Sequence, residues 1–191
     1  MDFKYDEFKK TLELIFEFEG YYSDDKYDKG GKTKFGITEK TLKKAIEENN
    51  LIDEVEIQNL TKEQAEKIYF EYYWKPSKAW LLSEPLTVFH FDTAVNMGIQ
   101  RANKFLQTAL KVVNKLDNTF KIDGIWGKNT QREVERAVLE NKTLFLFSVY
   151  LNCRYHFYNQ IVKRDKTQKV FLHGWLNRLS YFFKLLTENQ L

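Results

Sequence analysis

The chain has few of the residues that interrupt or cross-link a fold. Its 191 residues include two prolines, eight glycines and one cysteine. A single cysteine excludes an internal disulfide and fits folding in a reducing compartment. The scarcity of proline and glycine, together with long stretches that contain lysine and glutamate, favours a mostly helical fold.

Three other features are missing. The longest uncharged run, residues 143–153, is shorter than the roughly 18 residues that a membrane helix requires. The N-terminal segment carries Lys4, Asp6 and Lys9, so it has no apolar signal core. The net charge is +3 and the basic residues alternate with acids, without a dense Lys/Arg tract. We therefore expect no signal peptide, no membrane insertion and no nucleic-acid partner.

What the chain does contain is typical of a compact helical protein. Hydrophobic residues make up 43% and aromatic residues 16%, with 16 Phe and 11 Tyr, which argues against disorder. Thr38 is a predicted N-cap, and Thr61 to Gln64 form a predicted capping box. Residues 32–37 could pair as a small β-ribbon after the first helix. The predicted helices cover residues 5–18, 39–48, 62–74, 85–97, 100–114, 130–140, 144–163 and 174–188.

Glu19 is the first candidate for a chemical role. Phe8, Leu12 and Ile15 lie four and three residues apart, and Glu19 is the next step of four, so all share one helix face. That face is apolar and should point inward. Burial at the negative end of a helix dipole would raise the pKa of the carboxyl group and favour a general acid. The alternative is a glutamate that reaches water at a helix end followed by Gly20.

The segment after Glu19 is polar, and residues 19–38 hold half of the chain's glycines. The positions of this segment that form a motif are Asp28, Gly30, Gly31, Thr33, Gly36, Ile37 and Thr38. The run resembles the signature of glycoside hydrolase family 108, lysozyme-like muramidases of bacteria and phages, which reads Glu-Gly-Gly-Tyr and then Asp-x-Gly-Gly-x-Thr-x-x-Gly-Ile-Thr. Tyr21 replaces the second glycine of that opening. The resemblance implies that Glu19 is the catalytic acid.

The resemblance extends over most of the chain. Residues 91–98 resemble the family's Phe-Asp-x-Ala-x-Asn-x-Gly segment, and residues 174–178 resemble its closing Gly-Trp-x-x-Arg. Residues 123–130 resemble the Asp-Gly-x-x-Gly-x-x-Thr of a predicted peptidoglycan-binding module. The implied architecture is an all-α, lysozyme-like bilobal fold. Residues 1–98 would form the catalytic part, and residues 99–191 a helical peptidoglycan-binding part packed against it.

Six further residues are candidates for holding substrate or water. Asp28, Thr33 and Thr38 lie in the loop beyond Glu19, although loop Asp and Thr side chains also commonly bond their own backbone. Asp92 and Asn96 are four apart on a predicted helix and would present two polar groups on one surface; buried hydrogen bonding is their alternative. The glycines around Trp126 should leave its ring at the surface to contact sugars, with core packing as the alternative.

Other chemistries are not supported at the residue level. A calcium loop that began at Asp24 would have Lys26 and Lys29 where a ligand and a glycine belong. Cys153 and His156 could pair as a thiol and a base on one helix, but aromatic neighbours favour a buried thiol and a hydrogen-bonded histidine. The remaining histidines lack metal-ligand spacing. We expect no metal and no organic cofactor.

The sequence thus predicts a muramidase that cleaves the β-1,4 bond between N-acetylmuramic acid and N-acetylglucosamine in bacterial peptidoglycan. We expect a monomer that is made in the cytoplasm and reaches the cell wall through a holin or a secretion system. One alternative is a non-catalytic peptidoglycan-binding or phage structural protein on the same scaffold. Another is a helical inhibitor or regulatory protein that binds a protein partner through its aromatic surface.

Overall fold

The computed structural model describes residues 3–19, 22–23, 33–48 and 50–188. These residues are mainly helical, and their strands form a small three-stranded sheet. The predicted all-α chain with a β-ribbon after the first helix is therefore confirmed. The chain divides into two compact units, Met1–Pro76 and Ser77–Leu191. The boundary that we expected near Gly98, between a catalytic and a peptidoglycan-binding part, stays a prediction.

The first unit opens with helix α1, Tyr5–Glu19, which leads into three two-residue strands. The strands are β1, Tyr22–Ser23; β2, Thr33–Lys34; and β3, Ile37–Thr38. Strand β2 is central and antiparallel to both neighbours, with Thr33 opposite Ser23 on one side and opposite Thr38 on the other. Strands this short are marginal alone, so packing against the helices must hold the sheet.

Local capping signals set the helices that follow. Thr38 caps α2, Glu39–Lys43, because its hydroxyl accepts the Thr41 backbone N–H at 3.2 Å, and a π-helical turn continues the helix over Lys44–Glu48. After a 3₁₀ turn at Ile57–Asn59, Thr61 and Gln64 form the predicted capping box of α3, Lys62–Tyr69. Both predicted caps are confirmed.

The end of α3 differs from the prediction, which stopped the helix before Pro76. The helix continues through a π-helical turn, Phe70–Trp74, into α4, Lys75–Ser77, which contains the proline. A proline lacks the N–H of the usual i→i−4 bond, and its ring crowds the preceding turn. The wider π-helical turn, in which the Lys75 N–H reaches the Phe70 carbonyl, accommodates this crowding.

The core of the first unit joins α1 to α3. Phe8, Leu12 and Ile15 of α1 are 0–2% exposed, as their spacing predicted. Phe8 packs against Trp74 with ring centroids 5.5 Å apart, and the Trp74 indole N–H donates to the Phe3 carbonyl at 2.7 Å. Burying each such side chain contributes roughly 1.5–3 kcal/mol, so α1 is held mainly by this face.

The second unit is a helical assembly in which α6 packs on α5, α7 and α8, and α8 packs on α9. Short 3₁₀ turns occupy Ala79–Leu81 and Lys166–Gln168. The helices are α5, Leu86–Met97; α6, Ile99–Val113; α7, Lys128–Leu139; α8, Thr143–Arg164; and α9, Lys169–Glu188. Helix α9 begins five residues before its predicted start at Gly174, because that glycine lies inside the helix rather than before it.

Phe89 of α5 marks the centre of the second core. Its ring lies 5.1 Å from Phe147, 4.9 Å from Tyr150 and 5.1 Å from Phe182, measured between centroids. All four side chains are 0% exposed. Their tilted and edge-to-face contacts add to the burial of apolar area and join α5, α8 and α9.

Candidate functional site

Glu19 is the last residue of α1, three residues before β1 begins. The structure describes its backbone and not its side chain. Its helical position continues the buried row of Phe8, Leu12 and Ile15. The last turn of α1 has no basic residue, so no neighbour in that turn would stabilise a carboxylate at the negative end of the helix dipole. Glu17, on the other face, is exposed.

A tight hairpin fixes the two strands beyond Glu19. Phe35 and Gly36 connect β2 to β3 with φ angles of 53° and 73°. Positive φ at both positions is the geometry of a two-residue turn that suits the twist of a hairpin, and it explains the glycine in the Phe-Gly pair. The Tyr69 hydroxyl donates to the Phe35 carbonyl at 2.8 Å, and the Phe35 ring packs 5.5 Å from Phe16 of α1. The turn is thus attached to both α1 and α3. Tyr69 was missed at the sequence level because it is 34 residues from its partner.

The two threonines of the ribbon have different surroundings. Thr33 lies half-buried in the central strand. Thr38 is used as the cap of α2, and its hydroxyl is 3.1 Å from the Thr41 hydroxyl. Thr41 in turn bonds the Tyr73 phenol, whose pKa is raised by burial despite that bond. Capping therefore accounts for Thr38, and its predicted substrate role stays a prediction. Asp28 lies outside the described residues.

Asp92 is at the centre of a buried ion-pair network in the second unit. Its side chain is 0% exposed; one oxygen pairs with Arg154 Nη1, and the other accepts from Arg178 Nε at 2.8 Å and Nη2 at 2.5 Å. Arg154, also 0% exposed, donates further to the Thr93 hydroxyl at 3.2 Å and the Tyr158 hydroxyl at 2.9 Å. The Asp92 charge raises the pKa of Arg154 against the opposing effect of burial.

Asp92 and Asn96 do not present two polar groups on one surface, as their helical spacing had predicted. Asn96 is exposed and donates to the Asp92 backbone carbonyl at 3.2 Å, whereas the Asp92 carboxylate points into the core toward two arginines. The prediction of a shared polar surface is wrong, because the arginines, 62 and 86 residues away in sequence, draw the carboxylate inward. These contacts support the alternative of buried hydrogen bonding.

The loop that carries Trp126 is held by one glutamine of α6. Gln107 Nε2 donates to the Asp123 carboxylate at 3.0 Å, the Ile125 carbonyl at 3.0 Å and the Thr130 hydroxyl at 3.1 Å. Its Oε1 accepts the Gly124 N–H at 2.8 Å. The side chain is 1% exposed, and its bonds to Thr130 and to the Gly124 N–H are buried. Gln107 thereby fixes the conformation of the loop.

This loop turns Trp126 inward rather than outward. The side chain is 6% exposed, its indole N–H donates to Gln131 Oε1 at 2.9 Å, and His90 lies 5.5 Å from the ring in an edge-on contact. The prediction that the neighbouring glycines leave the Trp126 ring at the surface is wrong. A ring packed in this way has no free face on which a sugar could stack.

The remaining chemical candidates have ordinary surroundings. His90 is 0% exposed, with Nε2 3.1 Å from the Ser77 carbonyl and Nδ1 2.9 Å from the Tyr150 hydroxyl, and burial lowers its pKa to about 4. Cys153 is half-buried, which raises the pKa of its thiol, while His156 is exposed. Within the described ranges, no group of three His, Cys, Asp or Glu side chains could hold a metal ion, and no helix could cross a membrane.

Comparisons with known proteins agree with this picture. Residues 12–98 match the family described as "Glycosyl hydrolase 108", and residues 101–180 match the "Predicted Peptidoglycan domain". A solved structure titled "Structure of Brucella abortus SagA" is similar with a TM-score of 0.76 and 27% identity, over 96% of this chain and 95% of that chain. No curated protein matches the chain. The predicted lysozyme-like helical fold is confirmed, and the two matches together support a peptidoglycan hydrolase in which a glycosyl hydrolase 108 part is followed by a predicted peptidoglycan domain.

Proposed function

We propose that the protein is a muramidase that hydrolyses the β-1,4 bond between N-acetylmuramic acid and N-acetylglucosamine, with Glu19 as the general acid. The observation that carries the proposal is the position of Glu19 at the C-terminal end of a helix whose inner face is fully buried, directly before the small sheet. This segment lies within the residues that match glycosyl hydrolase 108. Residues 1–98 are assigned the catalytic role, and residues 99–191 the binding role.

The local electrostatics around the end of α1 favour a protonated carboxyl group. The helix dipole places partial negative charge at this end, the last turn contains no basic residue, and Glu17 adds a further acidic group. Glu19 also continues an apolar row, and desolvation beside apolar side chains disfavours a charged carboxylate. A carboxylic acid with a raised pKa can donate its proton to the glycosidic oxygen as the bond to the anomeric carbon breaks.

We assign to the polar groups after Glu19 a role in the attack of water on the anomeric carbon. Thr33 lies opposite Ser23 in the sheet, and Asp28 belongs to the segment that joins these two strands. Their oxygen atoms suit a water molecule or a sugar hydroxyl. That water attacks the anomeric carbon, one of its protons passes to a nearby acceptor, and a new reducing end forms on N-acetylmuramic acid. The Phe35–Gly36 turn, attached through Tyr69, fixes the connection between β2 and β3.

The setting of the reaction follows from its substrate. Peptidoglycan lies outside the cytoplasmic membrane, so the chain must reach it, and we propose that a holin or a secretion system provides the route. We propose that the protein acts as a monomer, because the polymer offers many equivalent bonds to one catalytic unit.

Digestion of purified peptidoglycan tests the proposal. The products are reduced with borohydride and identified by mass spectrometry. A muramidase gives muropeptides that end in muramitol. Ends in glucosaminitol would assign the other glycosidic bond, and anhydro ends or released stem peptides would assign other classes of enzyme. Peptidoglycan that is bound but uncut would favour the non-catalytic alternative and overturn the proposal.

A further inference from the structure

We propose that a cationic pocket in the second unit binds a carboxylate of the peptide stem of peptidoglycan. We define the cationic pocket by Lys78, Leu81, Trp126, Lys128, Arg132 and Glu135, which line one concavity beside the first turns of α7. The inference rests on the proposed function in one respect, that peptidoglycan is the ligand. It goes further by assigning a site outside the catalytic part and a chemical group that the site recognises.

The charges around the pocket are not balanced. Lys78 Nζ donates to the Trp126 backbone carbonyl at 3.0 Å, and a carbonyl does not neutralise the ammonium charge. Lys128 is exposed and forms no ion pair with any described residue. Arg132 forms an ion pair with Glu133, with 3.2 Å between Arg132 Nε and Glu133 Oε1. Among the described residues that line the pocket, Glu135 is the only acid, so these side chains keep an excess of positive charge that an anion would complement.

The floor of the pocket is apolar but offers no ring face. Trp126 is fixed by its bond to Gln131, and Gln131 Nε2 in turn donates to Glu135 Oε1 at 2.9 Å. This chain of bonds orients Glu135 and keeps the indole packed. A small apolar group, such as the methyl of an alanine, can lie on Leu81 while its carboxylate meets the lysines at the rim. Peptide stems of peptidoglycan provide that combination, whereas an uncharged N-acetylglucosamine oligomer has no group for the charges.

Lys78 also has a strained backbone conformation. Its φ and ψ of 59° and 25° are left-handed, a conformation that is unfavourable for a non-glycine residue. Lysine is not a residue that this conformation favours. The half-buried side chain is nevertheless held with its ammonium group against the loop, which places the charge at the pocket before any ligand arrives.

Binding of a reaction product provides the test, because a product is not cleaved. The ligand is N-acetylglucosaminyl-N-acetylmuramoyl tetrapeptide, titrated calorimetrically into the full chain. We expect Lys78→Met/Lys128→Met to raise Kd about fivefold to tenfold, the size expected for the loss of two charge contacts, one at a half-buried and one at an exposed side chain. Amidation of the peptide carboxylates should raise Kd for the wild type by a similar factor. Higher salt should weaken wild-type binding more than binding to the double variant.

Two controls separate charge, folding and catalysis. Lys163→Met/Lys169→Met removes the same charge from exposed positions and should leave Kd unchanged. Lys128→Met alone, at an exposed position, should keep the thermal stability and still raise Kd about threefold. Equal affinity of N,N′-diacetylchitobiose, a disaccharide without a carboxylate, a change of less than twofold in the double variant, or no measurable wild-type binding would overturn the inference. Glu19→Gln should bind normally, so loss of the proposed activity alone leaves this result intact.

Discussion

Asp92 and Arg154 form an ion pair in which both side chains are 0% exposed, linking α5 to α8. Removing one charge from a buried pair leaves the other without compensation, at a cost of about 3–5 kcal/mol. We therefore expect Asp92→Asn to lower the free energy of unfolding by that amount in urea titrations. The amide keeps the shape of the carboxylate, so lost charge rather than lost volume accounts for the change.

Two comparisons test this explanation. The exposed Asp53→Asn should change the free energy of unfolding by less than about 0.5 kcal/mol. Asp92→Asn/Arg154→Met should be less destabilised than the sum of its single variants, because the second change removes the fully buried one of the two arginine charges that Asp92→Asn leaves uncompensated. Strict additivity would show that the two groups are not coupled.

His90 predicts a dependence of stability on pH. Burial lowers its folded-state pKa to about 4, compared with about 6.5 in the unfolded chain. Between these values the unfolded state binds more protons, so this contribution is fully present above pH 6.5 and is lost as the pH falls toward 4. The loss is on the order of 3 kcal/mol. Urea titrations from pH 4 to pH 7 should show the slope.

Replacement of the ring isolates this effect. His90→Gln should reduce the slope of stability against pH between 4 and 6.5, whatever its effect on absolute stability. The exposed His156→Gln should leave the slope as in the wild type. An unchanged slope in His90→Gln would assign the acid sensitivity to other groups.

Local signals in the sequence predicted most of the fold. The caps at Thr38 and Thr61 depend on residues within three positions, so their chemistry can be read directly from the chain. The burial of Phe8, Leu12 and Ile15 follows from helical spacing in the same way. The ends of helices were predicted less accurately. At Pro76, for example, the sequence predicted a helix end, but a π-helical turn allows the helix to continue.

The candidate site was predicted less well, because long-range partners decide where polar side chains point. The sequence around Asp92 does not indicate that Arg154 and Arg178 are its partners, because they lie 62 and 86 residues away. The glycines around Trp126 correctly indicated a turn, but the direction of the ring depends on Gln107, which lies 16 to 23 residues from the groups that it binds. Spacing identifies residues that can meet, and only packing shows whether they do.

Gly124 has a backbone geometry that other residues cannot share. Its φ is +82°, and an added Cβ would lie 2.6 Å from both the backbone oxygen and Cγ of Gln100. We expect Gly124→Ala to cost about 2–4 kcal/mol, because strain and overlap with a fixed backbone atom add. Gly174→Ala is the matched control: nothing lies within 4 Å, the residue is helical, and the change should stabilise by up to about 1 kcal/mol. Thermal unfolding of the pair distinguishes the two positions.

Trp126 should behave as a core residue. With 6% exposure and a bonded indole N–H, Trp126→Ala should lower the free energy of unfolding by about 3–5 kcal/mol. Trp126→Phe keeps most of the apolar volume and loses the bond to Gln131, so its loss should be smaller. Pull-down on insoluble peptidoglycan, corrected for the folded fraction, measures any direct binding role. Weak binding by a fully stable Trp126→Ala would contradict the core assignment.

Glu19→Gln addresses the proposed chemistry. The amide has the shape of the carboxyl group and no proton to donate, so release of reducing ends from peptidoglycan should fall by at least about 100-fold, within the range of general acid catalysis. Glu17→Gln changes the same residue type on the exposed side of α1 and should retain activity. The unfolding transition of both variants should match the wild type, which separates a chemical loss from a structural one. Near-normal turnover in Glu19→Gln would refute the assignment.

The pH profile of the wild type provides an independent check on Glu19. The general acid must be protonated in the free enzyme, so kcat/KM should fall on the alkaline side. Burial and the helix dipole both favour the neutral form, which places the apparent pKa of that limb above the roughly 4.3 of an unperturbed glutamate. The profile must be recorded above pH 6.5, where the His90 contribution to stability is complete, as well as below it. An alkaline limb at or below about 4.3 would exclude a buried general acid.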